Sequence, residues 1–590
     1  MTETFPTAAH AEWMKRAEAA LKGAGLERLT SVTLDGLKIA PLYPHQAAGP
    51  RALKAKAGAW VVAQKIDHPD LAQANTQILE DLENGANGLV LAFRGAPAAG
   101  AFGLDVASAA DFATLLRNVL LDLIAVRFDA GKNAASLARL FAEYAKTHEL
   151  DASRLSIDFA LDPLLGDADA LIAAATKLQA QGFGGPFFIA DGRHWHEAGA
   201  SEAQELALTL SAALATLRQL EKAGWPLEAA AAQISFVLAA DASEFLTLAK
   251  CRALRHLWAR VEEACGLTPA PLRLHAETAW RMLTKRDPWV NILRGTIASF
   301  SAGLGGADTM TVLPFTTALG LADPFARRIA RNTQTILLCE SNLGWVNDPA
   351  AGAGGFESLT ANLTEKAWAI FQATEQQGGL FAALAAQGPQ KAIRTVAAER
   401  DKRIARRLIP ITGSSEFADL EETPVTVLQP GEAVREGLPG LAPHRDAEAF
   451  EQVRARADAI LAQSGQRPRV FLANLGPLAA FTARATFAKN FFAAGGIEAF
   501  GNDGFTTQEA LAQAFRESGC TIACLCSSDS VYAEQALAAA KALIAAGAES
   551  LYLAGKPGAL ADGLAQAGVT DYIFAGCNAI EVLQRLLAGA

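Results

Sequence analysis

Between about Lys54 and Leu338 the chain alternates short apolar runs with longer amphipathic stretches. The runs are AWVVAQKI (59–66), GLVLAF (88–93), DLIAVRFD (122–129), RLSIDFA (154–160), PFFIA (186–190), QISFVLAA (233–240), RLHAE (273–277) and TMTVLP (309–314). Most are rich in β-branched or aromatic residues, and each stops near a polar residue such as Asp67, Arg94, Asp129 or Asp241. The stretches between them repeat apolar positions at helical spacing; LAQANTQILEDLENG ends on a glycine, as helices do. Eight strands, each followed by a helix, predict a closed parallel barrel rather than an open sheet, with any active site at the carboxyl ends of the strands.

The text outside this region has three further characters. Residues 1–50 read as an N-terminal arm, with one amphipathic helix over Glu12–Lys22 and an extended TLDGLKIAPLYP. Leu37, Ile39, Leu42 and Tyr43 present apolar side chains outside any barrel strand, so the arm must pack on its own barrel or on another subunit. It is expected to wrap a partner. The barrel is assigned to 51–387 and a linker to 388–466. The linker opens with the basic helix KAIRTVAAERDKRIARR, in which Glu399 and Asp401 break up the positive charge as on a solvated helix face. Residues 467–590 alternate again, as RVFLANL, GIEAFGN, TIACLCS, SLYLAG and DYIFAG. Five parallel strands over this length predict a flavodoxin-like sheet, with its crevice outside the strand ends near Gly476–Ala483, Cys526–Ser528 and Gly555–Gly558.

Composition narrows the class. At 590 residues the chain exceeds one ordinary core, which favours two domains plus connections. A net charge of −10 leaves no basic face for nucleic acid. The apolar stretch Ser299–Ala322 is broken by glycines, Asp308 and Pro314, so no membrane span is expected, and the N-terminus has no apolar signal core. Seven scattered cysteines point to reduced thiols and a cytoplasmic setting. Cys520, Cys524 and Cys526 cluster, but with no fourth ligand nearby they read as small buried residues; no metal is expected.

Several segments carry a family resemblance. TAWRMLTKRDPWVNILRGTIASFSAGLGGADTMTVLPF, FARRIARNTQTILLCESNLGWVNDPAAGAGGFESLT and DGRHWHEAGASEAQELA resemble methylmalonyl-CoA mutase, in family order and over the whole chain. Arg327–Gln334 with Asp348–Pro349 is the most specific part. The resemblance implies a (β/α)8 barrel followed by a flavodoxin-like domain of the cobalamin-binding type. It also implies an activity that interconverts methylmalonyl-CoA and succinyl-CoA through an adenosylcobalamin radical. Within the family, the chain is most similar to the degenerate small subunit of the heterodimeric bacterial enzymes. A large catalytic subunit would then bind both the cofactor and the CoA esters, and this chain would bind no cofactor.

Carried over residue by residue, the family pattern is incomplete. The cobalamin-type turn carries Asp-x-His-x-x-Gly, whose His ligates cobalt; aligned on Gly476, those positions hold Leu478, Ala480 and Ala483, which offer no ligand. The nucleotide-tail serine is matched only by CSSDS, and the Gly-Gly pair reads Ala554-Gly555. In the barrel, the family's Tyr-His pair before Glu-Ala-Gly-Ala reads Arg193-His194, with Trp195-His196 following. The corrin-side Tyr has no match in LKAKAGAW, nor has the carboxylate-clamping Arg in DPLLGDADALIAAATKLQ. Arg273 and His275 keep the seventh-strand Arg-x-His.

These leave His194, Arg273 and His275 as vestigial candidates. His194, as a neutral imidazole, has the chemistry to donate to a thioester carbonyl; the plainer reading is a retained buried histidine. Arg273 and His275 suit a CoA phosphate or thioester, or an ion-pair network with Glu277. Gly476, Gly555 and Gly576 suit a nucleotide cradle, or simply tight turns. Two functions stay open: a structural subunit of a cobalamin-dependent mutase, or a mutase or CoA-ester-binding protein in its own right.

Overall fold

The computed structural model describes residues 9–47, 54, 58–431 and 435–588. Eight parallel strands form one sheet: β1 Val61–Ile66, β2 Gly88–Ala92, β3 Ala125–Asp129, β4 Ser156–Asp158, β5 Phe188–Asp191, β6 Ile234–Ala240, β7 Arg273–Thr278 and β8 Thr309–Thr311. Their order is β4-β3-β2-β1-β8-β7-β6-β5. The ends meet where Phe159 N donates to Pro186 O (3.1 Å) and Leu161 N to Phe187 O (2.8 Å), which closes the barrel. All eight strands lie on the short apolar runs read from the sequence, because a strand covered on its outer face by helices must be short and largely apolar.

The space between strands and outer helices is filled by rings. Phe93, Phe112, Phe128, Phe141 and Phe159 form a connected cluster with centroids 5.1 to 6.1 Å apart, mostly tilted or edge-on. A different device locks the β1 side. The buried Asp81 carboxylate takes both Arg327 and Arg331, and Gln334 accepts from the Trp60 indole at 3.1 Å. The Arg327–Gln334 text is therefore helix-to-barrel packing chemistry.

A second parallel sheet follows: β9 Arg469–Asn474, β10 Glu498–Phe500, β11 Ile522–Cys526, β12 Ser550–Ala554 and β13 Asp571–Ile573. Its order, β10-β9-β11-β12-β13, is the flavodoxin-like 2-1-3-4-5 order. Cys524 and Cys526 lie buried on one face of β11 and Cys520 is buried before it. No helix among the described residues is long and apolar enough to cross a membrane.

Between the sheets, Gln429–Pro430 pairs with Gly320–Leu321 just after β8, so the intervening chain is tied across the carboxyl end of the barrel. The helix Gly388–Ala405 packs its Ala397 against Gly199, where an added Cβ would lie 2.6 Å from the Ala397 methyl. On its outer face Glu399 pairs with Arg403 at 2.9 Å, the arrangement of a solvated helix.

The N-terminal segment divides in two, and its hairpin takes the first of the two surfaces left open, its own barrel. The helix His10–Ala20 buries no residue. The hairpin Ser31–Val32/Lys38–Ile39 docks on this chain's own barrel, with Leu37 and Ile39 packed against the core. Asp35 in its turn accepts from Ser201 Oγ and Ala203 N, adding a second cap to the helix Glu202–Lys222; burial and the nearby Glu202 push its carboxyl up to about 6. Tyr43–Gln46 then passes so close to Gly354 that a Cβ there would lie 1.8 Å from Pro44 O.

Removing residues 1–24 should leave the barrel's urea midpoint unchanged. Removing 1–47 should cost about 2–4 kcal/mol, from one lost helix cap and the partial exposure of Leu37, Ile39 and what they cover. Urea denaturation followed by circular dichroism checks both truncations.

Candidate functional site: a closed barrel mouth and a ligand-poor crevice

The carboxyl ends of the barrel strands converge on one buried ionic cluster. Arg193 begins the short helix Arg193–Glu197 after β5, where Asp191 accepts from its backbone N–H (2.8 Å) and turns its side chain inward. The guanidinium binds Asp191 at 2.6 Å, Asp129 from the end of β3 at 3.1 Å, and Glu277 from β7 at 3.1 Å. Arg435 arrives from the linker, pairs with Glu197, lies 3.6 Å from Glu277 and stacks over Trp280 at 5.3 Å. Below them Arg127 pairs with Asp158 at 2.8 Å.

Each cation answers a carboxylate that burial would otherwise neutralise. Asp191 is penalised by burial, but Arg193 and His194 outweigh this and hold it well below the usual carboxylate range. Arg193 stays charged because Asp191, Asp129 and Glu277 outweigh its burial. Glu197 goes the other way: burial pushes it up against the pull of Arg435.

The cavity left among Ala98, Asp129, Asp162, Asp191, Arg193, His194, Glu197 and Arg435 is about 20 Å³. That is room for about one water molecule. The mouth where barrel enzymes hold their substrates is occupied by the protein's own side chains. A larger groove of about 740 Å³ lies beyond Arg435, between Trp280, Arg286, Glu422, Arg445 and Glu451. Arg435 forms the wall between the two spaces.

His194 lies in this cluster with its Nε2 3.0 Å from Asp162 Oδ2. Burial alone would lower its pKa, but Asp191 and Asp162 outweigh burial and raise it to about 9. This fits the plainer reading, a retained buried histidine, better than a neutral imidazole. Near neutral pH the ring is a cation committed to a carboxylate, not a free donor for a carbonyl. His196, two residues on, is fully buried between Glu205 (2.9 Å) and Asp241 (3.2 Å), beside Lys250 and Arg281.

Arg273 and His275 are not brought to this cluster. They lie on the amino half of β7, at a cavity of about 410 Å³ at the opposite end of the barrel. His275 Nδ1 is 2.6 Å from Thr309 Oγ1, and burial together with Arg127 and Arg193 holds its pKa well below the ordinary value. Glu277 pairs with Arg193 and Arg435, so the expected network of Arg273, His275 and Glu277 is corrected: alternate strand positions point to one interior, but at different depths.

In the second sheet, Gly476 adopts φ +79° at the turn after β9, and Pro477 leads into the helix Leu478–Ala494. Leu478 is 67% exposed at the first position of that helix, and Ala480 and Ala483 follow on its first turns. None of the nine histidines of the chain falls in 467–590. A crevice of about 660 Å³ opens between Arg484, Phe487, Tyr532, Gly555, Lys556 and Phe574. Arg484 crosses it, donating to Ser527 O at 2.7 Å, pairing with Asp529 and stacking over Tyr532 at 4.9 Å. Its Cζ lies 3.1 Å from where a Cβ on Gly555 would be, so the guanidinium already uses the close approach that this glycine allows.

Sequence reasoning missed Arg435, Asp162 and Arg484. Asp162 and Arg484 had a signal, since each lies beside a segment singled out for other reasons. Arg435 had none: it reaches the mouth from the linker, 238 positions after Glu197.

A closed parallel barrel joined to a flavodoxin-ordered sheet defines an α/β chain with two large parallel sheets. Residues 187–489 match the methylmalonyl-CoA mutase family profile. The chain is 43% identical to the methylmalonyl-CoA mutase small subunit of Streptomyces virginiae, over 99% of this chain and 97% of that one. It is 36% identical to the small subunit of Propionibacterium freudenreichii subsp. shermanii over 99% and 95%. The small subunit of Porphyromonas gingivalis is 30% identical over 98% and 97%. The chain belongs to the methylmalonyl-CoA mutase family. Membership makes it part of an isomerase complex, and the small-subunit relatives imply a large mutase subunit as its partner.

Two outcomes follow from the mouth. His194, with its pKa raised above the unfolded value near 6.5, contributes stability that is fully present below that value and is lost as pH rises through about 9. An imidazole NMR titration should place its midpoint near 9, and the stability of His194→Gln should vary less than wild type between pH 6.5 and 9. Arg193→Ala leaves Asp129, Asp191 and Glu277 facing one another, and chemical denaturation should show a loss of about 3–5 kcal/mol.

Proposed function

We propose that this chain is the non-catalytic small subunit of an adenosylcobalamin-dependent methylmalonyl-CoA mutase. It stabilises a large subunit that carries the cofactor and isomerises methylmalonyl-CoA and succinyl-CoA. The observation that carries this reading is the filled barrel mouth: a space of about 20 Å³ holds no acyl thioester. Opening it would separate Arg193 and Arg435 from buried carboxylates, at several kcal/mol for each broken pair. His194, Arg273 and His275 are then retained framework groups, and no catalytic residue is assigned to this chain.

The second sheet supports the same reading. Its residues do not fit a cobalt-ligated corrin: Leu478, Ala480 and Ala483 carry no donor atom, and no histidine lies in 467–590. Arg484 fills the approach to Gly555 that a nucleotide tail would need. On this reading the segments 1–50, 51–387, 388–466 and 467–590 are arm, barrel, linker and degenerate cobalamin-type domain. The helix His10–Ala20, which finds no groove on its own barrel, is offered to the partner.

Equilibrium dialysis of the purified lone chain against adenosylcobalamin tests the proposal. No saturable binding is expected up to tens of micromolar. Stoichiometric binding at micromolar concentration or tighter would favour the alternative, a mutase or CoA-ester-binding protein in its own right.

A further inference from the structure

The outer helices of the barrel are unequally covered. The helices Glu202–Lys222 and Glu244–Ala264, after β5 and β6, are packed over by the helix Gly354–Gln376. The next two, Val290–Leu304 and Pro324–Thr335, pack on each other, on Glu244–Ala264 and on the strands, yet Trp289, Leu293, Ile297 and Phe325 along them stay at least 40% exposed. The exposed positions of the first helix are apolar, and Arg328 is the exposed cation on the second. Trp289, Leu293 and Ile297 fall one turn apart along the first helix, and Leu293 is 62% exposed. Phe325 and Ile336 mark the two ends of the second helix. The line continues through the π-turn Ile336–Glu340 to Trp345, 81% exposed, and Val346. Trp289 stacks on Phe315 at 4.9 Å and meets Phe325 at 6.3 Å, so the upper end is a rigid aromatic platform.

Its size is that of an interface. With about 150–250 Å² for a large side chain, these partial exposures amount to roughly 700 Å² of apolar surface. The largest patch on an ordinary monomer is about 300–600 Å², and a standard interface takes about 800 Å² from each partner. Charge adds a second constraint. Arg328 lies over Phe325 at 5.4 Å at the edge of the stripe and forms no ion pair among the described residues, so it calls for a carboxylate on the partner's rim.

We propose that this stripe, from Trp289 to Val346, is the docking face for the large mutase subunit. The inference rests on the reading of this chain as one subunit of a two-chain mutase. A homologous barrel carries its seventh and eighth helices in the same places, so the two chains can meet stripe to stripe about a pseudo-two-fold axis.

Cys339, exposed in the π-turn between Ile336 and Trp345, supplies the probe. Its maleimide labelling rate should fall at least tenfold when the full-length chain is mixed with the large subunit. The double substitution Leu293→Glu and Ile297→Glu should weaken association at least a hundredfold, with circular dichroism unchanged. The control pair Leu120→Glu and Leu123→Glu, exposed on another side of the barrel, should leave association unchanged. An unprotected Cys339 in a formed complex, or full affinity of the double variant, overturns the proposal. So does protection of Cys339 in the lone chain through self-association. If the unsubstituted chain does not bind the large subunit at all, the functional reading falls with it, which separates the two failures. The labelling arm needs no substitution, so a variant that misfolds leaves the test intact.

Discussion

Two buried guanidinium groups set the character of this protein. Arg193 and Arg435 meet at Glu277, one from the loop after β5 and one from the linker, and between them they hold Asp129, Asp191 and Glu197. Charges this deep are tolerated only when each has a partner, and breaking one pair exposes the rest to the full cost of burial. The same pairs fix the short helix that carries His194, and they pin the linker across the mouth. A ligand entering from this side would have to displace Arg435, which forms the wall between the mouth and the outer groove.

A different arginine crosses the crevice of the second sheet. Arg484 bridges β11 and the glycine turn after β12, taking Ser527 O, Asp529 and the Tyr532 ring together. In both places an arginine reaches across the carboxyl ends of a parallel sheet. Asp81 with Arg327 and Arg331, and the ring cluster around Phe128, pack the helices onto the barrel around its mouth.

Much of this was legible in the sequence. The eight barrel strands and the five of the second sheet stood out because strands covered by helices must be short, largely apolar runs between helical periods. The expectation of a missing cobalt ligand rests on residue identity at Leu478, Ala480 and Ala483 alone. What was not legible depends on which distant side chains meet. The charge state of His194 is set by Asp162 and Asp191, whose approach only the closed barrel defines. The role of Arg435 requires the path of the linker. For the arm, apolar residues such as Leu37 and Ile39 declare a need for burial but not whose surface provides it. Asp35, reaching Ser201, decided that question in favour of its own barrel.

The central claim is that a two-chain mutase of this kind has one working barrel, and that this chain supplies the other, closed one. The most direct measurement is the number of acyl-CoA molecules bound per assembled complex, by calorimetric titration with succinyl-CoA. The account predicts one site per complex and no heat of binding for this chain alone. Two equivalent sites per complex, or stoichiometric binding by the lone chain, would contradict it.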